Sequence, residues 1–319
     1  MSADRKSDMS GKARVAVIIL TYNESLHLRR ALSHVQGFAE EVFVVDSFST
    51  DDTVDIARSC GAQVLQHPFQ NQAKQFQWAL DHAPVTAEWV MRLDADEVIE
   101  EDLSREIVAR LPGLSSDVTG VYLNRKTIFQ GKFIRHGGRY PMLLLRIWRR
   151  GKARIEDRWM DEHIYLTEGR AVKFAGGFAD HSLFDLTFFT EKHNKYASRE
   201  ALDVVARRLN LWQPQSGSVL SQGSRMKQAG IKRFMKERIY NRIPFELSAF
   251  AYFFYRYVIR LGFLDGRKGL VYHFLQGFWY RFLVGAKVCE LEAALRNVAT
   301  ADEARQEIAR VTRQNIIAE

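Results

Sequence analysis

Cysteine is scarce. The 319 residues hold two, Cys60 and Cys289, too far apart for a metal-binding knuckle and too few for a disulfide framework. A reduced cytoplasmic setting is the expectation. The six prolines exclude a proline-rich or collagen-like chain. Neither of the two most apolar runs reaches the roughly 20 uninterrupted residues of a spanning helix. The first residues, MSADRKSDMSGK, lack the apolar centre of a secretory signal. No strand is followed by G-x-x-x-x-G-K-[ST] or G-x-G-x-x-G, so neither Walker-type phosphate binding nor the dinucleotide fingerprint is supported. No repeat of solenoid period occurs.

What remains is a chain with a sizeable core, 46% hydrophobic and 26% charged, and an uneven charge. Residues 1–120 carry 11 Lys and Arg against 19 Asp and Glu, whereas residues 121–319 carry 35 against 19. An acidic front and a basic back suggest two tasks. The basic half suits nucleic acid, anionic lipid or a phosphorylated substrate, and charge alone does not choose among them.

The front half alternates apolar runs with helical patterns. Val15–Leu20 (VAVIIL), Glu41–Val45, Gln63–Gln66 and Ala87–Leu93 read as strands, with helices over about 25–35, up to Cys60, 71–82 and 102–111. Such βαβ units predict a parallel, doubly wound sheet with ligands at the C-terminal strand ends. Residues 118–180 read as short strands with glycine-rich turns, and 186–209 as a long helix. The domain reading is a flexible 1–13, a catalytic 14–210 divided at 112/113, a linker at 211–224 and a helical 225–319.

In that last part aromatics crowd around Pro244–Leu264 and Leu270–Val284, interrupted by Arg256, Arg260 and Arg281. On a helical wheel Phe250, Phe253, Phe254, Tyr257 and Leu261 share a face with Arg256 and Arg260 beside it. Aromatic bodies next to basic residues suit an amphipathic helix lying on an anionic membrane surface. A helical pair packed on the front domain and a dimer interface are the other readings of this pattern, and oligomerisation stays open. The polar segment from Glu290 to Glu319 has no functional reading.

Asp94-Ala95-Asp96 closes the fourth strand. Two carboxylates two residues apart at a buried strand's end reach a divalent cation and a ribose together. Thr21-Tyr22-Asn23-Glu24 and Asp46 end the first two strands, and Lys74 lies on the following helix. A ring, an aspartate and an amide gathered there suit a nucleobase, although Asp46 is equally well explained as a helix cap. Arg135, His136 and Arg139, with Arg146 further on, suit a phosphorylated acceptor; a solvated basic hairpin is the structural alternative.

VAVIILTYNE, VVDSFSTDDT and WVMRLDADE together resemble the nucleotide-sugar half of a family 2 glycosyltransferase. NRKTIFQGKFIRHGGRYPMLLLRIWRR resembles the lipopolysaccharide-core and exopolysaccharide subgroup, the core glucosyltransferases within it above all. The likeness covers about residues 14–200. It implies a GT-A type α/β fold, a doubly wound mixed sheet with the aromatic-rich amphipathic helices at its C-terminal side. It implies an inverting, metal-dependent hexosyltransferase on the cytoplasmic face of the inner membrane, moving sugar from a nucleotide donor, UDP-linked first, to a lipid-linked saccharide. By position it implies Tyr22 and Asp46 around the base, Asn23 and Glu24 in support, Lys74 as a cationic contact and Asp94 on the ribose. Asp96 would hold Mg²⁺ or Mn²⁺, joined by the late His181. In Met160-Asp161-Glu162-His163, Glu162 is the favoured base and Asp161 the next. The alternatives are a nucleotidyltransferase on a similar sheet and a non-catalytic basic protein binding membrane or RNA. No nucleic-acid motif appears, and none is expected to bind.

Overall fold

The computed structural model describes residues 13–156, 163–209, 244–296, 298 and 300–312. These form two compact units. The first comprises 13–131, 140–156 and 163–183; the second comprises 132–139 and the residues from 184 onward.

In the first unit Ala13–Thr21 (β1) is buried along almost its whole length because it lies in the middle of a sheet covered on both faces. Ala39–Asp46 (β2) and Trp89–Asp94 (β4) pair with it in parallel, and Gln63–Gln66 (β3) extends the sheet beyond β2. Beyond β4 the direction changes. Met142–Arg149 (β8) runs antiparallel to β4 and to Val118–Phe129 (β6), which is parallel to Arg170–Asp180 (β11). Glu97–Ile99 (β5) closes the edge antiparallel to β11, giving the order β3-β2-β1-β4-β8-β6-β11-β5. The sheet is thus parallel over β1 to β4 and between β6 and β11, and antiparallel elsewhere, and the α/β mixed architecture is as expected. Ala153–Ile155 (β9) and Ile164–Leu166 (β10) form a separate hairpin-like pair.

Alternation divides the core. Val15, Val17 and Ile19 face Ser25–Val35 (α1), Thr53–Ser59 (α2) and Glu101–Arg110 (α4) through Leu28, Leu32, Ala57, Leu103 and Ile107. Ala16 and Ile18 face the other way, onto Phe76 and Ala79 of Gln72–His82 (α3) and onto Trp148. Asn71 caps α3, its side chain accepting from the Lys74 N–H at 2.7 Å. Such a cap is worth about 1 kcal/mol.

The second unit is mainly helical, with Lys132–Ile134 its short strand (β7). Leu186–Arg208 (α5) joins it, not the sheet unit where the sequence boundary at 210 put it. The reason is packing: Ala201 and Val205 sit against Val288 and Leu291 of Tyr280–Ala294. The aromatic runs form Phe245–Phe254 (α6), a π-turn over Tyr255–Ile259, Gly266–His273 (α7), a π-turn over Phe274–Trp279, and Tyr280–Ala294 (α8). Ala301–Thr312 (α9) follows. Phe253 and Tyr257, placed by the wheel on one face with Phe250 and Phe254, are half-buried. They stack on each other, and Phe253 packs edge-on to Phe274 and Phe278. Leu247, Phe250, Phe254, Ile259, Leu261 and Leu264 remain exposed. Among the described residues no helix is long and apolar enough to cross a membrane. The sequence-derived linker, 211–224, lies outside the described residues.

Candidate active site

Register brings the predicted residues to one edge. Thr21 pairs with Asp46, Asp46 with Gln66, and Leu20 with Asp94, so four strands end within one residue of level. Asp46 is fully buried and its oxygens are engaged. Oδ1 accepts from Thr21 Oγ1 at 3.0 Å and Ser49 Oγ at 2.5 Å; Oδ2 accepts from the Ser49 N–H at 2.9 Å and Gln66 Nε2 at 3.3 Å. Between nucleobase contact and local cap, this geometry is that of a residue holding the loop after β2.

Asn23 and Glu24 tie the first loop to the second. Asn23 adopts φ 54°, a conformation asparagine tolerates. Its N–H donates to Ser49 Oγ at 2.8 Å, and its Oδ1 accepts from the Thr50 N–H at 2.9 Å. The Glu24 N–H donates to Thr53 Oγ1, and its carboxylate sits 2.7 Å from His27 Nδ1. Because His27 Nε2 accepts from the Leu183 N–H at 2.8 Å, Nδ1 carries the proton and donates to Glu24. Against this braced loop Tyr22 stands 59% exposed, its ring open for stacking. Lys74 is half-buried on the first turn of α3.

The carboxylates after β4 differ in role. Asp94 accepts from Arg92 Nε at 3.3 Å and lies 3.5 Å from Arg146 Nη2. Burial works against its charge, but Arg92, Arg146 and Arg125 outweigh burial and hold its carboxyl far below the usual range. Glu97, almost fully buried, takes Arg146 Nη2 at 2.6 Å and the Asp94 N–H at 2.9 Å. Burial, with the Asp94 charge nearby, pushes Glu97 upward against Arg146. Ala95 between them is buried. Asp96 is half-exposed, and its backbone oxygen accepts from the His181 N–H at 3.0 Å.

The two expected metal ligands, Asp96 and His181, therefore come from β4 and β11 to adjoining positions. Arg30 of α1 braces them, donating through Nη2 to the His181 oxygen at 2.5 Å and feeling the Asp96 charge. Burial, then Arg30 and His27, lowers the His181 pKa, so its imidazole is neutral at pH 7 and competent to ligate. Among the described residues no three His, Cys, Asp or Glu side chains gather as a metal cluster. A half-exposed carboxylate and a neutral imidazole still fit a hard or borderline divalent ion completed by phosphate oxygens.

Arg146, read from sequence as an acceptor contact, lies in the sheet unit with its side chain buried on Glu97 and over the Phe178 ring. Its neighbour Arg149 is likewise structural, donating to the Val118 and Leu114 oxygens. Arg135, His136 and Arg139 belong to the helical unit. His136 Nδ1 lies 2.7 Å from Asp265 Oδ1, and the Arg135 and His136 N–H groups donate to the same carboxylate. Asp161 and Glu162 lie outside the described residues. Sequence reasoning missed Glu97, Arg92, Arg30 and His27. The available signal was a charge, Arg92, inside an otherwise apolar strand, which calls for a buried partner.

Residues 16–173 match the family described as Glycosyl transferase family 2. An uncharacterized glycosyltransferase of Rickettsia prowazekii (strain Madrid E) is 39% identical over 94 residues, 30% of this chain and 32% of that protein. The glycosyltransferase SunS of Bacillus subtilis (strain 168) is 33% identical over 99 residues, 29% of this chain and 23% of that one. The alignments thus span about a third or less of these relatives' length. A crystal structure of glucosyl-3-phosphoglycerate synthase from Mycobacterium tuberculosis with Mn²⁺, UDP and glucosyl-3-phosphoglycerate aligns over 38% of this chain and 45% of that one, at 20% identity and a TM-score of 0.28. The sheet unit is a family 2 glycosyltransferase domain, with the mixed GT-A type sheet that its sequence motifs implied.

Proposed function

We propose that the protein transfers one sugar, with inversion, from a nucleotide-sugar to a lipid-linked saccharide during cell-surface polysaccharide synthesis. A UDP-sugar is the first donor to test. The observation that carries the reading is the level edge of β1, β2 and β4, where an exposed Tyr22, the Asp94–Asp96 pair and a neutral His181 lie on one family 2 domain. Tyr22 stacks on the base, Asp94 accepts from the ribose, and Asp46, Asn23 and Glu24 hold the loops that position them. Lys74 contributes positive charge to the donor side. Asp96 and His181 would hold Mg²⁺ or Mn²⁺, which as a Lewis acid stabilises the charge of the departing diphosphate. Glu162, or Asp161 beside it, takes the proton of the incoming hydroxyl, a contribution typically worth about 10²–10⁴ in rate.

The helical unit serves the acceptor. Its exposed Phe250, Phe254 and Ile259 and its surplus of basic residues support a peripheral seat on the anionic cytoplasmic face of the inner membrane. Family membership of the domain favours glycosyl over nucleotidyl transfer. The test is release of nucleoside diphosphate from UDP-sugars in the presence of bacterial lipid extract. Asp96→Ala and Glu162→Gln should each lower the rate by about 100-fold or more, and wild-type turnover in Asp96→Ala would overturn the site.

A further inference from the structure

Among its described residues the helical unit buries one arginine, Arg256. Arg256, 2% exposed, sits between two phenol rings, its Cζ 5.6 Å from Tyr252 and 5.7 Å from Tyr272. Its Nε donates to the Gly137 oxygen at 3.3 Å and its Nη1 to Gln276 Oε1 at 2.5 Å, while Nη2 is buried with no hydrogen-bond partner among the described residues. Arg139 also approaches Tyr272, Cζ at 5.7 Å, and its Nε is likewise buried with no partner among the described residues. Arg281 lies 3.7 Å over the Tyr252 ring. Burial opposes ionisation of the Tyr252 hydroxyl, yet Arg281, Arg256 and Arg139 together lower its pKa.

Among the described residues of this unit the one buried carboxylate is Asp265. Asp265 is 4% exposed, and its oxygens are taken up by His136 and by the Arg135 and His136 N–H groups. His273, fully buried 3.6 Å from Asp265, is held neutral by burial and by Arg256. An uncompensated buried cation costs several kcal/mol. Guanidinium forks flanked by tyrosines match the tetrahedral oxygens of phosphate, which accept from several donors at once. The arrangement is graded for entry, with Arg256 at its base and Arg139, Tyr252 and Arg281 half-exposed. Gly138 beside it carries no side chain and adopts φ +72°.

We propose that Arg256, Arg139 and Arg281, with Tyr252 and Tyr272, form a binding site for a phosphoryl group, borne either by a lipid headgroup or by a free phosphate compound. The proposal rests on the acceptor reading above only for the carrier that would bring the phosphate. Binding itself requires no nucleotide, metal or transfer, so its failure and that of the donor site are separable.

The test uses the full chain without nucleotide. Its binding to phosphatidylcholine vesicles doped with phosphatidate is compared with binding to vesicles doped to equal surface charge with phosphatidylglycerol. Inorganic pyrophosphate is titrated in parallel and added as competitor. Arg139→Gln and Arg281→Gln, both at half-exposed positions, accompany Arg256→Gln, with circular dichroism reporting the fold. For a lipid phosphate, the wild type prefers phosphatidate by about tenfold or more and pyrophosphate does not bind. For a free compound, pyrophosphate binds saturably at one site. In either case Arg139→Gln and Arg281→Gln lose the binding while keeping the native spectrum. Equal affinity for the two vesicles with no pyrophosphate binding, or a preference intact in both variants, overturns the site.

Discussion

At the residue scale, the chemistry depends on which polar groups hold the loops and which are exposed at the strand ends. Asp46 and Glu97 are buried and engaged on both oxygens by protein donors, whereas Tyr22 is exposed and Asp96, near Arg30, is half-exposed. Sequence motifs identified all but Glu97 among these as candidates, yet they could not separate holders from contacts, because that depends on register across β1, β2 and β4. His273 supplies a measurable residue-scale consequence. Burial and the neighbouring Arg256 lower its pKa to about 4, against about 6.5 in an unfolded chain. Between those values the unfolded chain binds a proton that the folded chain refuses. Stability is therefore full above about pH 6.5 and declines as pH falls toward 4, by roughly 3 kcal/mol in total. Urea midpoints measured across this range should flatten in His273→Gln; an unchanged slope would contradict the assignment.

At the element scale, β1 to β4 and α1 to α4 were legible because a fully buried strand and an amphipathic helix have different periods. Ser25–Val35 and Gln63–Gln66 have the expected bounds. The second half of the sheet was less legible. Residues 118–180, read as short pieces, include strands of 12 and 11 residues, since β6 and β11 carry polar and glycine positions that break the apolar pattern. Gly176 on β11 shows why one such glycine is there. A Cβ at this position would lie 2.5 Å from Leu103 Cα, a backbone atom that no rotamer change can move. Gly176→Ala should push α4 from the sheet and cost about 1–3 kcal/mol in a denaturation titration; a neutral effect would mean that the helix docks less closely than described.

At the scale of the whole molecule, the change of charge near residue 120 falls inside the sheet unit and not at its boundary, because basic residues such as Arg125, Arg146, Arg149 and Arg150 belong to that unit. The helical unit keeps a basic surplus. The sequence did not display that α5 and residues 132–139 belong to the helical unit, because long-range packing decides it. If the exposed aromatic face meets lipid, Phe250→Glu with Ile259→Glu should reduce flotation with anionic vesicles by about tenfold or more while sparing nucleotide binding, each lost apolar anchor being worth about 1.5–3 kcal/mol. Undiminished flotation would remove that face from the membrane reading. The central claim, a metal-assisted nucleotide-sugar site at the edge of β1, β2 and β4, is tested most directly by a thermal-shift titration with UDP and UDP-sugars, with and without Mn²⁺. The account predicts stabilisation by nucleotide that requires the metal and disappears in Asp96→Ala. Stabilisation that is unchanged in Asp96→Ala would contradict it.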